Sequence, residues 1–134
     1  MTIYLGGSSK DKDTCRTLGY ALAVEGFNVL APWLSWTPET HPNEQKNWLA
    51  LLDCIQRASA MVYVGPPTGI FSAGATFEAG YALGLHRPVY LYSPRDRSIS
   101  DPVYHWSYAA NVYRIEDWEF LLESLSWTKG ALTR

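Results

Sequence analysis

One acid, Glu78, stands in the stretch "FSAGATFEAGYALG" behind a run of small residues, Ser72, Ala73, Gly74 and Ala75. A carboxylate opening a helix behind such a loop fits two roles. Thr76 and Glu78 fit helix capping and first-turn charge placement, which stabilise a helix start without any chemistry. The same carboxylate also fits catalysis, if the loop and the helix face one pocket. A second small-residue loop, Gly6, Gly7, Ser8 and Ser9, follows the run "TIYL". Its backbone can approach an anion closely, with the free amides of a following helix turned the same way, although a tight turn with no ligand explains two glycines equally well.

The position of Ser72 relative to Glu78 decides whether they share a site. Were Ser72 already helical, six residues at about 100° each would leave its side chain roughly 120° around the axis from Glu78. The expected arrangement therefore keeps Ser72 in the loop, with the helix starting near Gly74 to Thr76.

Strands and helices alternate around these loops. "TIYLGG", "NVLA", "AMVYVGPP", "RPVYLYSP" and "ANVYRI" read as five short apolar strands. Helical periodicity covers "SSKDKDTCRTLGYALAVEGF", with Gly26 as its stop, then "EQKNWLALLDCIQRAS", "ATFEAGYALGLH" and "EDWEFLLESLSW". The segment "WLSWTPETHPNEQ" predicts a loop with little regular structure. Uninterrupted apolar strands between helices predict an α/β fold, a single-domain, doubly wound, five-stranded parallel sheet of the flavodoxin or Rossmann-like type. Ligands of such sheets bind beyond the carboxyl ends of the strands where the strand order reverses. The loops "GGSSK", "WLSWTPE" and "GPPTGIFSAGA" should meet there, and Trp33, Trp36 and Trp48 nearby offer aromatic faces for a nucleobase or for packing.

Composition narrows the partners. The 134 residues suit one domain, 1–134, with 47% hydrophobic content and no linker or repeat. Eleven basic against 13 acidic residues, a formal net charge of -2, leave no field for a nucleic acid polymer. Cys15 and Cys54 lack metal-ligand spacing and read as buried small hydrophobes, and His41, His86 and His105 are scattered without metal spacing. The start "MTIYLGG" has no basic region before an apolar run, and no run approaches about 18 apolar residues, so a cytoplasmic protein with no membrane partner is expected.

"TIYLGG" and "SAGATFEAGYALGLHRPVYLY" together resemble the nucleoside 2-deoxyribosyltransferase-like superfamily, which includes transferases and nucleotide N-glycosidases. The matching residues are Tyr4, Gly6, Ser72, Gly74, Glu78, Gly80 and Ala82. The resemblance implies that Glu78 attacks the anomeric carbon and forms a glycosyl-enzyme intermediate, with Tyr4 orienting it by a hydrogen bond. An ordinary core tyrosine would explain Tyr4 too. Transferases of the superfamily usually carry aspartate six residues before the glutamate, and the nucleotide hydrolases carry serine. Ser72 stands there, and a hydroxyl can donate to a 5'-phosphate that an aspartate would repel.

One departure from the pattern concerns the acid expected on the helix before the third strand. Leu51 occupies that position; Asp53, the possible acid, lies roughly 200° around the helix from it, and Glu44 is the remaining candidate. The resemblance also implies a homodimer or larger homo-oligomer, with "DPVYHWSYAANVY" as the contact, and no cofactor or metal. The reading is a nucleoside or nucleoside 5'-monophosphate as small-molecule partner, hydrolysis favoured over transfer, and Gly6, Gly7, Ser8, Ser9, Trp33, Ser72 and Gly74 around the substrate. A catalytically silent nucleotide-binding module and a protein-interaction module are the rivals.

Overall fold

The structure, a computed structural model, describes residues 1–94, 97 and 105–132. Five parallel strands form one sheet in the order β2-β1-β3-β4-β5. They are β1 (Thr2–Gly6), β2 (Asn28–Leu30), β3 (Ala60–Val64), β4 (Val89–Tyr92) and β5 (Val112–Ile115). The helices are α1 (Lys12–Val24), α2 (Glu44–Arg57), α3 (Ala73–Gly84) and α4 (Trp118–Leu132). This is the doubly wound α/β architecture, and the order reverses between β1 and β3. None of the described helices is long and apolar enough to cross a membrane.

Alternation along the strands sorts the core into two layers. Ile3, Leu5, Val62 and Val64 share one face with Leu22 of α1 and Leu121 and Leu125 of α4. Tyr4, Met61 and Tyr63 face the other way, against Leu51 and Ile55 of α2 and Ala75 and Ala82 of α3. Cys15 and Cys54 are buried, one in each layer, and both are free thiols. The same parity that buries Ile3 and Leu5 therefore delivers Tyr4 and Gly6 to the face covered by α3.

Local signals end and begin the helices. Gly26 takes φ +96 just after α1, a left-handed conformation that costs glycine nothing. Asn43 caps α2 by accepting from the Lys46 amide, and Ser72 caps α3 by accepting from the Ala75 amide at 3.2 Å. The stretch after β2 is more ordered than its proline content predicts. Pro32–Ser35 forms a 3-10 turn, Thr37 and Thr40 exchange backbone-to-side-chain hydrogen bonds, and Trp36 stacks on His41 at 4.9 Å. Side-chain hydroxyls there supply the pairing that a helix or strand would otherwise provide.

Candidate active site

The ends of β1 and β3 and the start of α3 enclose a cleft of about 220 Å³. Gly7, Ser9, Trp33, Trp48, Leu51, Tyr63, Ser72, Gly74, Ala75 and Glu78 line it. The sheet order explains why these distant segments meet, since the loops after β1 and β3 leave in opposite directions and open a crevice between them.

Glu78 occupies the second turn of α3 and is only 8% exposed. First-turn charge placement is thereby excluded, and capping belongs to Ser72. The fully buried Tyr4 donates its hydroxyl proton to Glu78 Oε1 at 3.0 Å. Oε2 accepts no hydrogen bond from any described residue, and it hangs over Gly6. A Cβ on Gly6 would lie 3.0 Å from that oxygen and 2.9 Å from the Tyr63 ring, so only glycine leaves room for the carboxylate there. Burial pushes the Glu78 carboxyl up from 4.5 to about 7, and the Tyr4 hydrogen bond pulls partly the other way. Near neutral pH the group is poised between its two forms. Burial, and then the Glu78 charge, hold the Tyr4 phenol well above its ordinary value, which keeps it a hydrogen-bond donor.

Ser72 stands at the N-cap with extended backbone (φ -76, ψ 165), outside the helix, so its hydroxyl and Glu78 both face the cleft. Gly74 lies against Trp48, whose ring would be 3.4 Å from an added Cβ. Trp33 donates its indole N–H to the Leu5 carbonyl at 2.8 Å, which pins the loop after β2 to the end of β1. Trp48 packs edge-on against Phe77, with ring centroids 5.1 Å apart. Trp36, by contrast, belongs to a separate cleft with His41 and Lys46.

Of the remaining loop residues, Gly7 and Ser9 line the cleft. Ser8 does not: its hydroxyl accepts from the Lys10 amide and caps a short 3-10 turn. Asp53 requires a correction. It lies on the exposed side of α2 and pairs with Arg57 at 3.0 Å, because two helical residues beyond the cleft-lining Leu51 it points away from the sheet. Glu44, in the first exposed turn of α2, also stays outside.

Two residues with no signal in the sequence reading enter the picture. Tyr63, opposite Gly6 in the β1–β3 register, lines the cleft beside Ser72, and burial and the Glu78 charge raise its phenol. Arg97 reaches across the sheet edge to Asp11 at 2.6 Å and the Gly65 carbonyl at 2.9 Å, bracing the loops after β1 and β3 against each other.

A family model described as nucleoside 2-deoxyribosyltransferase matches residues 3–124. The chain belongs to the nucleoside 2-deoxyribosyltransferase family. Among curated proteins, none matches the sequence. A conserved protein from Enterococcus faecalis V583 has a similar structure, with TM-score 0.69 and 15% identity over 95% of this chain and 98% of that one. The Clostridium botulinum CMP N-glycosidase BcmB superposes with TM-score 0.56 and 15% identity, covering 94% of this chain and 99% of that one. Both likenesses concern the fold.

For a member of the nucleoside 2-deoxyribosyltransferase family, the relevant chemistry lies at an N-glycosidic bond. A buried carboxylate that lines a cleft, with one oxygen held and the other without a hydrogen bond from any described residue, suits attack on a carbon that gains positive charge as such a bond breaks.

Proposed function

We propose that the protein cleaves the N-glycosidic bond of a nucleoside 5'-monophosphate, by way of a glycosyl ester on Glu78, with water as the second acceptor. The observation that carries this reading is the Glu78 carboxyl, nearly buried, held by Tyr4 at 3.0 Å and facing the cleft. Tyr4 fixes one oxygen and leaves Oε2 aimed past Gly6. As the bond to the base lengthens, the sugar carbon acquires oxocarbenium character; the carboxylate first stabilises that charge and then captures it. Water attacks the ester from the cleft and regenerates Glu78.

The Ser72 hydroxyl, with the backbone of Gly7, Ser9 and Gly74, holds the 5'-phosphate, and the Trp33 and Trp48 rings flank the base. Serine rather than aspartate at position 72 supports a phosphorylated substrate, because a carboxylate there would repel it. The proposal includes a homo-oligomer and a cytoplasmic setting. Phe77, exposed beside the cleft wall of Trp48, supports a second copy near the site.

A second reading, a nucleotide-binding module without turnover, draws on Leu51. It lines the cleft where an acid would protonate a departing base, and Asp53 faces outward. One experiment separates the readings. The protein is incubated with ribo- and deoxyribonucleosides and their 5'-monophosphates, with and without an acceptor base, and free bases are resolved by chromatography. Base release from monophosphates without an acceptor is the expected result. Exchange only with an acceptor would make the protein a transferase, and nucleotide binding without release would favour the silent module.

A further inference from the structure

A base bonded to the sugar through a neutral ring system departs as an anion unless a proton reaches it, which is why glycosidic cleavage normally employs a general acid. The lining of the cleft offers little of that kind. Glu78 and Tyr63 are its ionisable groups among the described residues. Glu78 must be ionised to attack. Tyr63 holds its proton more tightly than a free phenol does, through burial and the neighbouring Glu78 charge. Leu51 contributes an isobutyl group to the wall, and the acid two residues on is turned outward to Arg57. Two indoles also line the cleft: Trp33, pinned to the Leu5 carbonyl, and Trp48, propped by Phe77.

Such a cleft, with two indole rings, one carboxylate and, among the described residues, no group that readily gives up a proton, suits a base that is already a cation. We propose that the preferred substrate is a nucleoside 5'-monophosphate whose base carries a formal positive charge, an N-ribosylated pyridinium or an N7-alkylated purine, which leaves as a neutral molecule without protonation. This rests on the glycosidase reading of Glu78 given above. Electrons balance without an acid: a Glu78 oxygen bonds to C1' as the C1'–N bond breaks, and the bonding pair goes to the ring nitrogen and cancels its charge. Water then attacks C1', Glu78 leaves as carboxylate, and one proton of that water passes to solvent.

Two further features favour the cation. Trp33 and Trp48 line the cleft, and an indole attracts a cation electrostatically through its face, most strongly where water is excluded. An arriving positive charge also favours the ionised form of the Glu78 carboxyl, which burial, partly offset by the Tyr4 hydrogen bond, holds near 7, so the substrate would bring its own nucleophile into the reactive state. A neutral base would not.

The test compares matched probes with the full chain at pH 7: nicotinamide mononucleotide and 7-methylguanosine 5'-monophosphate beside guanosine, cytidine and uridine 5'-monophosphates, with Glu78→Gln as the blank. Base release is followed by chromatography and proton release by an indicator in weak buffer. The expected kcat/KM is about 100-fold or more higher for the cationic pair, the scale of an absent general acid, with one proton released per nicotinamide. Equal or faster cleavage of the neutral monophosphates overturns this inference while leaving the glycosidase reading standing. No release from any probe, or release undiminished in Glu78→Gln, overturns both.

Discussion

Each face of the sheet carries an aromatic cleft, and the two are nearly the same size, about 220 Å³ around Glu78 and about 230 Å³ between β5 and α4. The second is lined by Tyr90, Tyr113, Phe120, Ser124, Trp127 and Thr128. Its polar atoms face one another: the Tyr90 hydroxyl meets Thr128 and the Ser124 carbonyl, and the Tyr90 and Tyr113 rings stack at 5.4 Å. The first holds a carboxylate largely removed from water, with one oxygen bound by Tyr4 and the other lying over Gly6 without a hydrogen bond from any described residue. Volume and aromatic lining are common to both. What separates them is a buried ionisable group left incompletely paired, an arrangement that opposes stability and that folds tolerate where chemistry is done.

Substitutions on the two faces should therefore behave differently. Glu78→Gln should lower turnover by about 10³-fold or more, as removal of a nucleophile does. Trp127→Ala, on a side chain 66% exposed in the other cleft, should leave turnover unchanged and alter stability by no more than about 0.5 kcal/mol. A comparable loss of turnover in both variants would erase the distinction between the clefts.

The next effect appears in stability. A carboxyl at about 7 in the folded chain and near 4.5 when unfolded binds more protons in the folded state between those values. Stability consequently falls as pH rises through that window, by up to about 3 kcal/mol at 1.36 kcal/mol per unit. Glu78→Gln removes the penalty, so it should melt higher than the parent at pH 8, with the difference gone by pH 4. A pH-independent difference in melting temperature would place the carboxylate in a wetter setting than the structure shows.

Gly6→Ala should come third. Its methyl would meet the Tyr63 ring at 2.9 Å and Glu78 Oε2 at 3.0 Å, displacing the carboxylate. The expected loss is about 10²-fold in turnover, with about 1–3 kcal/mol of overpacking measured by denaturant titration. Tyr4→Phe should be milder, about tenfold, the worth of one hydrogen bond. Because that bond lowers the Glu78 pKa, its removal should move the acid limb of the pH–rate profile above 7. An unmoved profile would deny Tyr4 its role.

Much of the site could be read from the chain because it rests on local rules. The period of two in "TIYLGG" places Tyr4 and Gly6 on one face, and the capping preference of serine keeps Ser72 ahead of the helix that carries Glu78, although that helix starts at Ala73 and not near Gly74 to Thr76. Helical geometry likewise separates Asp53 from the face of Leu51. Tyr63 was not legible, since its place opposite Gly6 depends on the register between strands far apart in sequence, which the packing of the whole sheet sets. The clasp of Arg97 on Asp11 joins residues 86 apart and left no local trace. Of the stretch proposed as a subunit contact, residues 101–104 lie outside the described structure, while Trp106 packs inside the protomer against Phe71, at 5.0 Å between centroids, and Tyr63.

The most direct measurement is mass spectrometry of the protein after reaction with a 2'-fluoro-arabinosyl nucleoside 5'-monophosphate, chosen because an electronegative 2'-substituent slows breakdown of a glycosyl ester. One sugar phosphate per chain, on the peptide containing Glu78 and absent from Glu78→Gln, is the outcome expected. Base release from this probe with the label on another residue would contradict Glu78 as the nucleophile.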